Sequence, residues 1–280
     1  VMHEVVIAGA ARTPMGGFQG ALSGATAADL GGAAIAAALA DAGADPALVD
    51  ELLMGCVLPA GQGQAPARQA GFKAGLPKEV PATTLNKMCG SGMKAAMFAW
   101  DALALGRSGL IVAGGMESMS NAPYLLPAMR GGARMGHGQA QDHMFLDGLE
   151  DAYDRGRLMG TFAEDCAQAF QFTRAAQDEY ALGSLENALR AIENDAFAGE
   201  VVPVTVTARK GDVVVAVDEQ PGNARPDKIP TLKPAFRKDG TVTAANASSI
   251  SDGAAALVMA RRDVAEAQGL QLRARILGDR

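Results

Sequence analysis

The stretch NKMCGSGMKA, Asn86 to Ala95, places a cysteine immediately before a Gly-Ser-Gly step. A run with helical spacing follows it: Met93, Ala96, Met97, Trp100 and Leu103. A helix amino terminus presents unpaired N–H groups and about half a positive charge. Such a field favours a thiolate, the attacking form of cysteine. Gly90 and Gly92 let a substrate approach the backbone closely, and the Cys89 N–H is a candidate donor to an oxyanion. On these residues alone two readings stand. Cys89 is either a nucleophile held at a helix start or a small hydrophobe packed in a core.

Other residues with chemical potential are few. Cys56, Cys89 and Cys166 are too scattered for a disulfide framework, which points to a reducing, cytoplasmic setting. No Cys-x-x-Cys or His-Glu-x-x-His pattern occurs, so no metal centre is expected. His137 and His143 fall in an irregular stretch and read as surface or subunit-contact residues; His3 reads as terminal and exposed. The loop GAARTPMGG follows a strand but is not Gly-x-Gly-x-x-Gly, so it is weak evidence for a nucleotide site.

The elements that must position Cys89 read as strands alternating with helices. The 280 residues suffice for one large domain or two ordinary ones. Hydrophobic residues make up 49% but aromatics only 5%, so the core must rest on Ala, Val, Leu, Ile and Met. A net charge of -6 without a basic run argues against nucleic-acid or anionic-membrane surfaces. No apolar stretch is long enough to span a bilayer, and VMHEVVIAGAARTP begins like a strand rather than a signal peptide. EVVIAG, LLMGCVLP, PATTLNKM and SGLIVAGGMES read as strands, with helices over TAADLGGAAIAAALADAGADP, from Pro46, over APARQAGFKAG and over 91–105. This predicts a layered α/β fold.

Near Ser120 the texture changes. Residues 120–247 read as an insertion: an irregular methionine-rich part, two helices, a hairpin through Lys210-Gly211-Asp212, and a Pro- and Lys-rich surface loop. Met116, Met119, Met129 and Met135 suggest an adaptable apolar surface. Residues 248–272 return to the first texture, and 273–280 look like the start of a further strand.

NKMCGSGMKA and AGGMESMSNAPY together resemble the thiolase family of acetyl-CoA acetyltransferases and 3-ketoacyl-CoA thiolases. ARTPMGGFQGAL, DGLEDAYDRGRLMGTFAEDCA and VTAANASSISDGAAALVM match as well, in the family's order and over essentially the whole chain. The resemblance implies a mixed β-sheet flanked by helices (1–119 and 248–272) with an inserted α+β loop domain (120–247) that holds CoA. It implies that Cys89 takes an acyl group from an acyl-CoA, after which the α-carbon of a second acyl-CoA attacks the thioester, or the reverse. Ser248 matches a serine that hydrogen-bonds the pantetheine chain, with Ala244 beside it; Leu149, Met159 and Phe236 match tunnel walls. Arg225 is the nearest candidate for a nucleotide-end contact. CoA and acyl-CoA enter as substrates, no separate cofactor is expected, and the complete protein is expected to be a homodimer or homotetramer.

The resemblance also exposes departures. Leu158 stands where some members carry histidine. The family's NEAF-type segment, its Gly-His-Pro histidine and its second, glycine-flanked cysteine do not occur. The chain is therefore expected to lack the family's second half, with 273–280 as its start, and to turn over poorly alone. The face around residues 91–105 is expected to stay uncovered and to favour association. Two other readings remain: a non-catalytic acyl-CoA-binding protein, and a ketoacyl-synthase-like condensing enzyme, against which the long insertion argues.

Overall fold

A computed structural model describes residues 2–207, 209 and 211–278. The chain runs through β1 (Val5–Arg12), β2 (Gly16–Gly17), α1 (Ala27–Ala42), β3 (Glu51–Gly55), α2 (Pro66–Lys73), β4 (Ala82–Leu85), α3 (Ser91–Ala104) and β5 (Leu110–Ser118). Then come β6 (Tyr124–Leu125), β7 (Gln141–Asp142), α4 (Met159–Ala169), α5 (Arg174–Glu193), β8 (Val204–Val206) and β9 (Val213–Val215). α6 (Glu219–Asn223), β10 (Ser251–Arg261), α7 (Arg262–Ala267) and β11 (Ala274–Arg275) complete the order. Two compact units result. The first holds the residues through Asn121, Ala198–Val217 and those from Ser251 on; the second holds Ala122–Phe197 and Asp218–Ile250.

The first unit is built on a seven-stranded mixed sheet, ordered β11-β1-β10-β5-β3-β4, with β2 paired to β10. β3 lies parallel to β4 and β5, whereas β10 runs antiparallel to β5 and β1. Side chains alternate across the sheet, as the strand period of two requires. Leu52, Met54, Val112, Ala256 and Val258 bury one face under α1 and α2. Leu53, Ile111, Ala113 and Met259 bury the other under α3. α1 begins at a capping box between Thr26 and Asp29 and ends at Gly43, which adopts the left-handed φ of 67°.

α3 buries only one stripe, Ala95, Ala99, Leu103 and Ala104. Its other side shows Met93, Phe98 and Leu105 at 74%, 44% and 62% exposure. An apolar stripe wider than one helix face is therefore half used.

The second unit carries the β6–β7 pair, α4, α5 and α6. α5 starts at Thr173, whose hydroxyl accepts the Ala176 N–H. Glu164 of α4 is buried and accepts the N–H groups of Thr241 and Val242 at 2.8–2.9 Å. Asp178, an acidic residue in the early turns of α5, is buried and accepts from Arg174 and Asn246.

Several details differ from the sequence reading. Residues 198–217, read as part of one insertion over 120–247, lie in the first unit. Arg12 exchanges backbone hydrogen bonds with Glu200 and Val202, and Val204, Val206 and Val215 join the core. β8 and β9 pair antiparallel as a hairpin does, but Lys210 in its turn lies outside the described residues. Residues 248–250 fall in the second unit and β10 begins at Ser251. Of 273–280, Ala274 and Arg275 pair with β1 as an edge strand, while Asp279 and Arg280 lie outside the described residues. The Pro- and Lys-rich segment folds into α6 and a 3-10 turn over Pro226–Thr231 that buries Ile229. The helix expected from Pro46 is a single 3-10 turn, Pro46–Leu48. Met116 is a core residue, and His143 is buried with its Nδ1 2.6 Å from Asp147. Among the described residues no helix is long and apolar enough to cross a membrane.

Candidate active site

Cys89 is a free, exposed cysteine on the short loop between β4 and α3. Its position is over-determined from both sides. Ser91, the first residue of α3, is buried; its Oγ accepts the Lys87 N–H at 2.8 Å and donates to the Met88 carbonyl at 2.5 Å. Asn86 Oδ1 accepts the Met88 N–H at 2.8 Å. Met88 thereby holds a left-handed φ of 50°, rare for a side chain of its size. The bend turns the chain from the strand direction into the helix across the five residues between β4 and α3. No hydrogen-bond partner of the Cys89 thiol or N–H occurs among the described residues.

The helix start is seated on the sheet through glycines. A Cβ on Gly55 would lie 2.6 Å from Ser91, and Gly92 faces the backbone of Gly114 and Gly115. On the β3 side only bare backbone fits against the first turn of α3, whereas on the β5 side a Cβ on Gly92 would make ordinary contact at 3.7 Å. The sequence pattern finds Gly90 and Gly92 beside Cys89 but not their partners across the sheet.

A second thiol lies just past the end of β3. Cys56 is buried, and its Sγ is 3.5 Å from Glu117 Oε1. Burial, followed by the neighbouring Glu117 charge, pushes this thiol up to about 12. Glu117 also accepts the N–H groups of Val57 and Leu58 at 2.8 and 3.0 Å.

The remaining site residues expected from the sequence lie in the second unit. Leu149 ends a π-helical turn over Phe145–Leu149, and a bridge between Glu150 and Leu158 brings this turn toward Met159. Phe236 covers the same spot, since a Cβ on Gly160 would meet its ring at 2.2 Å. Leu149, Met159 and Phe236 thus share a neighbourhood, with Met159 45% exposed. Arg225 and Ala244 line a cavity of about 570 Å³. Its floor is apolar, from Leu185, Ile229 and Leu232, and Lys228 adds a second cation. Ser248 is exposed but does not line this cavity; Ser249 does. Lys228 stands in none of the matching motifs, and in VTAANASSISDGAAALVM the resemblance points to Ser248 instead of the neighbouring Ser249. Among the described residues no cluster of His, Cys, Asp or Glu is placed to hold a metal.

An exposed cysteine ahead of a glycine-seated helix start, in a mixed sheet covered on both faces by helices, places the chain among layered α/β proteins. Residues 5–263 match the family model described as Thiolase, N-terminal domain. The chain is 52% identical to acetyl-CoA acetyltransferase 2 of Arabidopsis thaliana, over 99% of its own length and 69% of that protein's. It is 49% identical to the acetyl-CoA acetyltransferase of Pseudomonas aeruginosa, over 98% and 70% of the two chains. The solved acetyl-CoA acetyltransferase of Syntrophomonas wolfei superposes with a TM-score of 0.95 at 41% identity, over 99% of this chain and 70% of that one. The chain belongs to the thiolase family of enzymes.

Proposed function

We propose that this chain accepts an acyl group from an acyl-CoA onto Cys89, as the first half-reaction of an acyl-CoA C-acyltransferase. The observation that carries the reading is Cys89 itself: an exposed thiol on a loop whose every neighbour is tied down. Sγ attacks the thioester carbonyl, the bond to CoA sulfur breaks, and CoA leaves as the thiol while Cys89 keeps the acyl group. The α-carbon of a second acyl-CoA then gives up a proton and attacks the thioester, the bond from the acyl carbon to Cys89 Sγ breaks, and Cys89 is regenerated as the thiol with the 3-ketoacyl-CoA released; free CoA drives the reverse. Similarity to relatives named acetyl-CoA acetyltransferase supports acetyl-CoA as the donor.

The chain's own histidines suggest no base for this step. His3 lies against Gly106, beyond the far end of α3, about 20 Å of helix away from Cys89. In the second unit, His143 is engaged by Asp147 and His137 is exposed.

The second unit offers a surface for CoA. Arg225 and Lys228 are assigned to the phosphates, the apolar floor beside Ala244 to the less polar part, and Leu149, Met159, Phe236 and Ser248 to the pantetheine chain. CoA and acyl-CoA are substrates here rather than resident cofactors. For the complete protein the expected assembly in solution is a homodimer or homotetramer.

Intact-mass analysis after incubation with acetyl-CoA tests the reading. One acetyl adduct is expected, mapping to Cys89 and lost in Cys89→Ser. Binding of acetyl-CoA without any adduct would instead support a non-catalytic binding protein. Loading from an acyl-carrier protein but not from CoA would support a ketoacyl-synthase-like enzyme.

A further inference from the structure

Glu117 and Asn86 have no role in the acyl transfer as described, yet a continuous set of contacts runs from one to the other and on to Cys89. Glu117 stands on β5 and accepts the N–H groups of Val57 and Leu58. Those two bonds, at 2.8 and 3.0 Å, gather the turn that follows β3 around one carboxylate. The turn is tied to the loop before Cys89 at two points. The Cys56 N–H donates to the Leu85 carbonyl at 3.0 Å, and Asn86 Nδ2 donates to the Val57 carbonyl at 3.4 Å. The other end of the Asn86 amide accepts the Met88 N–H at 2.8 Å. Met88 is the residue in the left-handed conformation, and Cys89 is the next residue.

We infer that Glu117 and Asn86 are positioning residues for Cys89, acting as one relay from the sheet to the nucleophile. The inference rests on the reading of Cys89 as acyl acceptor. Physically, a left-handed φ at a bulky residue is costly and persists only where its surroundings enforce it. Asn86 provides that enforcement through one acceptor, and its own amide is anchored by the turn that Glu117 organises. Without the relay Met88 is held from the Ser91 side alone, and the thiol shifts from its place just ahead of the first turn of α3. A displacement of about 1 Å at a reacting atom is enough to slow transfer severely.

The chemistry of the two side chains makes the relay specific. A carboxylate supplies two acceptors for two N–H groups, whereas Gln supplies one acceptor and one donor. Asn supplies a donor for Val57 and an acceptor for Met88 at once, which Ala cannot and Asp can only half reproduce.

Two readouts test this on the full chain. Alkylation by iodoacetamide at about pH 8, resolved by peptide mass, reads Cys89 separately from Cys166, the other exposed thiol. Glu117→Gln and Asn86→Ala are each expected to slow Cys89 alkylation about fivefold, leaving Cys166 unchanged. The double variant is expected to be no slower than the slower single, because both changes cut one relay. Asn86 is exposed, so Asn86→Ala keeps the test available even where a Glu117 variant folds poorly. With acetyl-CoA, the saturating acetylation rate is expected to fall while the half-saturating concentration stays unchanged. An unchanged Cys89 rate in both single variants, or a double variant slowed by the product of the two single effects, overturns the relay. A parent chain that never acetylates refutes the acyl-transfer reading, and the alkylation arm still decides the positioning of Cys89.

Discussion

A thiol beside a carboxylate and out of water resists ionisation, while a thiol in the open beside a helix start is free to react. Cys56 and Cys89 occupy these two settings in one unit. Burial first, then Glu117, raises the Cys56 value from 9.0 to about 12. Its folded value therefore exceeds its unfolded one. The associated stabilisation is present below the unfolded value and is lost as pH climbs through the folded one. Cys56 is expected to stay unalkylated at about pH 9 in the folded chain while Cys89 and Cys166 react, and to become reactive only on unfolding. Peptide mapping with and without denaturant checks this. Labelling of Cys56 as fast as Cys166 in the native chain would contradict its burial.

At the scale of elements, the seat of α3 decides where Cys89 stands. Gly55→Ala would press a methyl group into Ser91 and lift the first turn from β3. We expect a loss of about 1–3 kcal/mol in chemical denaturation, together with weaker acetylation of Cys89. A variant of unchanged stability would show that the seat is loose. In the second unit, burial raises the Glu164 carboxyl, but the Thr241 and Val242 N–H groups and the Thr241 hydroxyl outweigh it and hold the group below its ordinary value. The stabilisation from Glu164 is thus present above the unfolded carboxylate value and is lost as pH falls through the folded one. Glu164→Gln is expected to cost about 1–3 kcal/mol near neutral pH, and the difference in melting temperature from the parent should shrink as the pH is lowered through the carboxylate range.

The same elements show what a linear reading can find. The helical spacing of Met93, Ala96, Met97, Trp100 and Leu103 and the apolar run of β5 are local signals, and both became elements where expected, although the stripe α3 buries is Ala95, Ala99, Leu103 and Ala104 and Met93 is exposed. Cys89 stood out because its glycines are its neighbours and because NKMCGSGMKA resembles the thiolase family. Asn86 and Glu117 were not, since their bonds reach 29 and 60 residues away and leave no periodic trace. Residues 198–217 resembled the insertion around them by composition, and only strand pairing with Arg12 returns them to the sheet. In the Pro- and Lys-rich segment, prolines at the first helical positions read as loop but are compatible with short turns.

For the whole molecule, the exposed Met93, Phe98 and Leu105 on and just past α3 offer an apolar surface for association. Met93→Lys and Leu105→Lys change side chains that are already well exposed, so stability should move by no more than about 0.5 kcal/mol. Self-association seen by sedimentation velocity should weaken in the double variant. Identical concentration dependence in parent and variant would assign association to another surface.

The path of the chain carries a further consequence. It leaves the first unit after Asn121, re-enters at Ala198, leaves again after Val217 and returns at Ser251. While the second unit is folded, these departures are spanned by ordered structure. Once it melts, the sheet must hold together the ends of two long flexible loops, an entropic burden that grows logarithmically with loop length and is on the order of a few kcal/mol. A ligand that binds only the folded second unit shifts its melting equilibrium by mass action. Through loop closure alone, the same ligand would also stabilise the sheet that seats Cys89.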